Sequence, residues 1–171
     1  MGRGVCPGEA DVSRESVEQA LRGHGAHLKP KSDSRLMHAI GKVLSVFGNK
    51  RFMESYWTTL FKTIYYPSRV SDPYRYDVVI EHECVHVAQW RKFNILFTIS
   101  YLFIPLPMGL AWFRWRWERE AYLVNIAHAQ DKLAAIESIV HNLWHEYLWT
   151  WPKKRMRKWF HKHALQESFD V

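Results

Sequence analysis

Asp72-Pro73-Tyr74-Arg75-Tyr76-Asp77-Val78-Val79-Ile80-Glu81-His82-Glu83-Cys84-Val85-His86-Val87-Ala88-Gln89-Trp90 is the stretch on which the reading of this chain turns. Asp72 suits a helix N-cap, and Pro73 suits the first helical position, where its missing N–H costs nothing. No Gly or Pro interrupts before Trp90, so the pattern predicts a helix of about five turns. Val78, Val79, Val85 and Ala88 supply apolar positions around two histidines. Within the helix, His82-Glu83-Cys84-Val85-His86 reads H-E-x-x-H, which stacks the two imidazoles at i and i+4 on one face. Two such rings can hold one Zn²⁺, and Glu83 is then placed to take a proton from a metal-bound water. The plainer alternative is a pair of histidines with ordinary hydrogen bonds. The coincidence of motif and helix argues against it.

A zinc site needs a third protein ligand. The extended form with a Gly and a third His fails here, because Gln89 and Lys92 stand at those positions. About thirty residues on, Trp117-Glu118-Arg119-Glu120-Ala121-Tyr122 holds the acids that separate Glu83 from Asp131. This segment resembles the Glu-x-x-Ala-Asp second motif of gluzincin peptidases, and over residues 50–130 the chain resembles zincin-like zinc metallopeptidases, including small phage and bacterial members. The resemblance implies Glu118 as the third ligand, Ala121 as a small contact between two helices, and water in the fourth position. Tyr122 departs from the pattern, since the family often places there an Asp that orients a ligand histidine. Glu120 is the rival ligand. It lies about 200° from Glu118 around a helix, so only one of the two can face the metal, the other turning toward an Arg such as Arg116.

The fold expected on this basis is α+β and mostly α, of zincin-like kind, with the active-site helix and the Glu-bearing helix packed beside a small sheet. Residues 1–33, rich in Gly and charge, read as a flexible arm that can hold one helical turn or more from Ser13 to Arg22, and His24 and His27 in it read as solvated. Residues 34–150 read as the metallopeptidase domain. Asp33 or Ser34 can cap a core helix whose Leu36, Ile40, Val43, Leu44 and Phe47 share a face, ended by Gly48-Asn49. Arg51 to Tyr66, rich in β-branched and aromatic residues, reads as one longer or two short strands. A strand there can offer its edge to an extended substrate.

Phe93 to Phe113 carries no charged side chain and is long enough to span a bilayer. Pro105-Leu106-Pro107 breaks it, however, so a buried helix and a turn are expected rather than a span. Next come a helix from about Met108 to Gln130 and another, continued or restarted, from Asp131. The second bears an apolar stripe of Leu133, Ile136, Ile139, Val140, Leu143, Trp144, Tyr147 and Leu148. His141 and His145 repeat the i, i+4 spacing without the acid, and read as ordinary surface or core histidines. His128, His141, His145 and Tyr122 stay open as oxyanion donors.

Residues 151–171 form a basic aromatic tail in which Lys153, Lys154, Arg155, Arg157, Lys158 and Lys162 supply most of the net charge of +7. Such a segment suits an anionic surface (lipid, nucleic acid or acidic protein) through residues 153–162, or simply a solvated helix. Two cysteines, Cys6 and Cys84, make no C-x-x-C pair, which suits a reducing compartment without a structural disulfide. Residues 1–30 lack the apolar run of a secretory signal, so a cytoplasmic or phage-particle setting is expected. The reading is therefore a zinc-dependent peptidase acting on peptide or protein substrates, with Glu83 as general base. A catalytically silent zinc-binding structural or interaction protein, such as a phage particle component, and a membrane-associated protein are the alternatives.

Overall fold

The computed structural model of the chain describes residues 7–46, 48–94, 96–97, 111–146 and 152–165. They fall into two compact units, residues 1–88 and 89–171.

In the first unit the described residues of the 1–33 segment, expected as a flexible arm, form a helix and a strand with Val17, Leu21 and Ala26 buried. Helix α1, Pro7–His24, buries Val17 and Leu21, one turn apart, and keeps Arg14, Glu18 and Arg22 outside as a ladder of exposed ion pairs. It ends in a paired closure: Ala26 N–H donates to Leu21 O at 2.8 Å and Gly25 N–H to Arg22 O at 3.1 Å. Gly25 takes the left-handed φ of 59° that this closure needs. The chain then enters strand β1, His27–Pro30, and a 3-10 turn, Lys31–Asp33. Few apolar residues mark this region, so composition alone underestimated how much of it is buried.

Ser34 accepts from Met37 N–H at 3.3 Å and caps helix α2, Arg35–Val46. The expected core face is only half covered. Leu36 and Val43 are 47% and 58% exposed, while Met37 and Gly41 are buried. The reason is a close approach: a Cβ on Gly41 would stand 3.1 Å from Met53 Cγ, so α2 settles on the short helix α3, Phe52–Ser55, along the Met37–Gly41 row. Phe47 lies outside the described residues.

The β-rich stretch forms two short strands, β2 (Thr58–Leu60) and β3 (Thr63–Tyr66). The sheet order is β1-β3-β2, with β1 parallel and β2 antiparallel to β3. Register aligns Leu28 with Ile64 and Ile64 with Thr59. Because side chains alternate, these three share one face of the sheet. On that face lies a core of Val17, Leu21, Ala26, Ile80, Cys84 and Val87, contributed by α1 and by helix α4, Asp77–Phe93. The other face, through Leu60 and Tyr65, meets Met37 and Phe52. Asp72 caps a 3-10 turn, Pro73–Arg75, and α4 itself begins four residues later than the Pro73 expected, at Asp77.

Among its described residues the second unit takes up the last turn of α4 and the helices α5 (Ala111–His128), α6 (Lys132–Glu146) and α7 (Lys153–Leu165). The chain restarts at α6, where Asp131 Oδ1 accepts from Ala134 N–H at 2.9 Å as an N-cap. Ile136, Ile139, Val140 and Leu143 of α6 pack with Trp115 and Ile126 of α5 and Met156 and Phe160 of α7. Leu133, at the start of the expected stripe, is 53% exposed, and Tyr147 and Leu148 lie outside the described residues. Trp115 meets Phe160 edge-to-face at 5.4 Å. The architecture is thus mostly helical with one small mixed sheet. Among the described residues no helix is long and apolar enough to cross a membrane, and most of the apolar stretch Phe93–Phe113 lies outside them.

Candidate metal centre

Helix α4 carries the motif as its sequence requires. His82 and His86 are one turn apart, with ring centroids 5.1 Å apart and planes at 76°. Residues on the neighbouring faces, Ile80, Cys84 and Val87, fill the core against the sheet and hold the helix in register. Burial, with the charges of Glu83 and Glu81 nearby, pushes the Cys84 thiol up to about 12. It is a neutral core residue and not a ligand.

His82, His86 and Glu118 each offer a ligand atom, and these atoms lie within 4.8 Å of one another. His86 and Glu118 are 3% and 2% exposed. Ala121, three residues after Glu118, is fully buried. A tetrahedral zinc site sets its donor atoms about 3.3 Å apart, a spacing inside that limit. Two imidazoles and one carboxylate are a donor set that zinc takes in hydrolytic sites. Among the described residues this is the one such group, and it includes none of His128, His141 or His145. Those three are exposed, and the last two face each other with centroids 4.2 Å apart. Tyr122 packs against the helical core of the second unit.

Glu120 has a hydrogen-bond partner of its own. Gln89 Nε2 donates to Glu120 Oε2 at 3.1 Å and to the carbonyl of Trp117 at 2.9 Å. Gln89 lies three residues after His86 in α4, and within the second unit it links the last turn of that helix to the Trp117–Glu120 turn of α5. The Glu120 carboxylate thus accepts from Gln89, where the sequence pattern points it toward an Arg such as Arg116. The same spacing argument that pairs His82 with His86 also puts Gln89 in line, a signal that the search for a third His passes over.

Glu83 is 8% exposed, and its carboxylate is held from the sheet. Thr59, on the α4-facing side of β2, donates from Oγ1 to Glu83 Oε2 at 2.5 Å, a short charge-assisted bond. No local pattern announces this contact, because residues 24 apart in the chain make it. Lys31 was also missed. It is fully buried, its ammonium donates to Phe52 O at 2.8 Å and lies 3.6 Å from the centroid of the Phe52 ring. Burial lowers its pKa to about 8, against an opposing pull from the Glu83 charge.

Comparison of the chain with protein-family models, with curated proteins and with solved structures gives no match. The reading of the centre therefore rests on its own geometry and chemistry.

Proposed function

We propose that this protein is a zinc-dependent peptidase, with His82, His86 and Glu118 holding the metal and Glu83 acting as general base. The observation that carries the reading is the gathering of the two motif histidines with one buried carboxylate from another helix, beside a second carboxylate already oriented by a hydroxyl. Bound there, zinc supplies Lewis acidity and brings the pKa of a water toward about 7.

The chain's own residues do the rest. Glu83 accepts the proton of the attacking water as the new C–O bond forms at the scissile carbonyl, and delivers it to the amide nitrogen as the C–N bond breaks. Thr59 fixes one oxygen of that carboxylate and leaves the other for the proton. Strand β2 pairs with β3 alone among the described strands, so it is an edge strand, the kind to which an extended peptide adds as a further strand. That edge adjoins the residue that orients Glu83.

A quenched peptide library assayed with and without chelator tests the reading. Cleavage should stop on chelation and return with zinc, and Glu83→Gln should keep the metal and lose turnover. A fully active Glu83→Gln would remove Glu83 from the mechanism. Stoichiometric zinc without cleavage of any peptide would leave a structural centre in its place.

A further inference from the structure

Nothing in the apolar pattern of α5 decides which of its two neighbouring acids, Glu118 or Glu120, joins the ligand set. At 100° per residue, Trp115, Trp112, Phe113 and Trp117 lie about 40°, 100°, 200° and 240° around the helix from Ala111, so large apolar side chains occur all round it. Such a helix has no single apolar stripe to fix its rotation, and a specific contact has to do so. The end of α4 supplies one. Gln89 is 5% exposed, and its side-chain amide donates to the carbonyl of Trp117 at 2.9 Å and to Glu120 Oε2 at 3.1 Å. That carbonyl belongs to the peptide group that joins Trp117 to Glu118. One turn on, Phe93 meets the Trp117 ring edge-to-face, with centroids 4.8 Å apart. Glu118 therefore stands between two residues that the same amide holds.

We propose that Gln89 is a positioning residue for the third metal ligand: it grips the peptide group of Glu118 and occupies the Glu120 carboxylate, so that Glu118 is the acid left for the ion. The proposal rests on the reading of His82, His86 and Glu118 as a zinc centre. One helix, α4, carries both histidines and Gln89, so the residue that sets Glu118 is built on the same rigid element as the other two ligands. A side-chain amide suits the task, because it is neutral and its two N–H donors can serve a carbonyl and a carboxylate together. A carboxylate at position 89 would repel Glu120, and an ammonium would add a positive charge close to the place of a divalent cation. The bond to the Trp117 carbonyl is the one that acts on Glu118 directly. It remains when Glu120 is removed.

The test is a double-mutant cycle on zinc affinity, with metal-free full-length protein titrated with Zn²⁺ against a competing chelator. Gln89→Met keeps the length of the side chain and removes the donor. It should weaken zinc binding by about 10- to 100-fold, the range typical of removing groups that orient metal ligands. In a Glu118→Ala background no third ligand is left to position, and the same substitution should change affinity by less than about twofold. A Gln89 that served only the stability of the fold would weaken both backgrounds alike. Thermal unfolding of the metal-free proteins checks that each is folded. Gln89→Asn, whose amide is too short to reach both acceptors, takes the place of a Met form that does not fold and should show the same loss. Wild-type affinity in the Gln89 variant, or equal losses in the two backgrounds, would overturn the proposal and leave the metal centre standing. A wild-type chain that takes up no zinc would overturn both.

Discussion

Lys31→Met should remove a pH dependence of stability that the wild-type chain shows above neutrality. The buried ammonium has its pKa lowered from 10.5 to about 8, chiefly by loss of hydration. A shift of that size corresponds to about 3 kcal/mol, nearer about 2 once residual screening is allowed for. The sign follows from proton binding. Below pH 8 the lysine is charged in both folded and unfolded chains, and folding bears the full cost of burying the charge. Between about pH 8 and 10.5 the unfolded chain holds the proton that the folded chain has released, so stability rises with pH. Methionine occupies a similar volume without a charge, and its substitution leaves Phe52 O without its donor, at a cost of about 1–3 kcal/mol. The two effects nearly cancel at pH 7. Urea unfolding of both proteins at intervals from pH 7 to 10.5 measures the difference. Wild type should gain about 2 kcal/mol on the variant across the upper part of that range. Parallel stability profiles would refute the assignment of a charged, buried Lys31.

Thr59→Val keeps the shape of the β2 side chain and removes the donor to Glu83. Turnover should fall by about tenfold at unchanged zinc content, for a loss near the low end of a charge-assisted hydrogen bond, and Thr59→Ser should recover most of it. A Val variant of full activity would mean that Glu83 needs no such support. Gly41→Ala sets two small effects against each other. The new Cβ meets the flexible end of Met53 at 3.1–3.2 Å, while helix propensity improves by about 1 kcal/mol. Thermal unfolding should change by only a few degrees in either direction. A loss of folding would show that α2 has no room to yield.

The His82–His86 pair was legible because one spacing rule governs it. The two histidines and the helix around them need only a 3.6-residue period, whereas Glu118 and Ala121 are singled out by resemblance to a family motif and by no spacing rule. Whatever depends on partners distant in sequence was not legible. Strand β1 is short and polar, and becomes a strand only because β3, 36 residues on, supplies the parallel register. Val17, Leu21 and Ala26 are too few to signal a core by composition, yet they cover one side of the sheet. On α2 two adjacent apolar rows compete, and the choice of the Met37–Gly41 row is made by Met53. Lys31 defeats sequence reasoning for a different reason: a charged side chain is buried only where a carbonyl and a ring happen to receive it.

The most direct test of the central claim is the zinc affinity of the wild-type chain beside its Glu118→Ala and Glu120→Ala variants, each stripped of metal and titrated with Zn²⁺ against a competing chelator. The wild type should bind one zinc per chain. Glu118→Ala, which reduces three protein ligands to two, should weaken binding by about a hundredfold or more. Glu120→Ala, whose carboxylate accepts from Gln89, should leave it within a fewfold. A wild-type chain that takes up no zinc, or an ordering in which Glu120→Ala is the damaging change, would contradict the account.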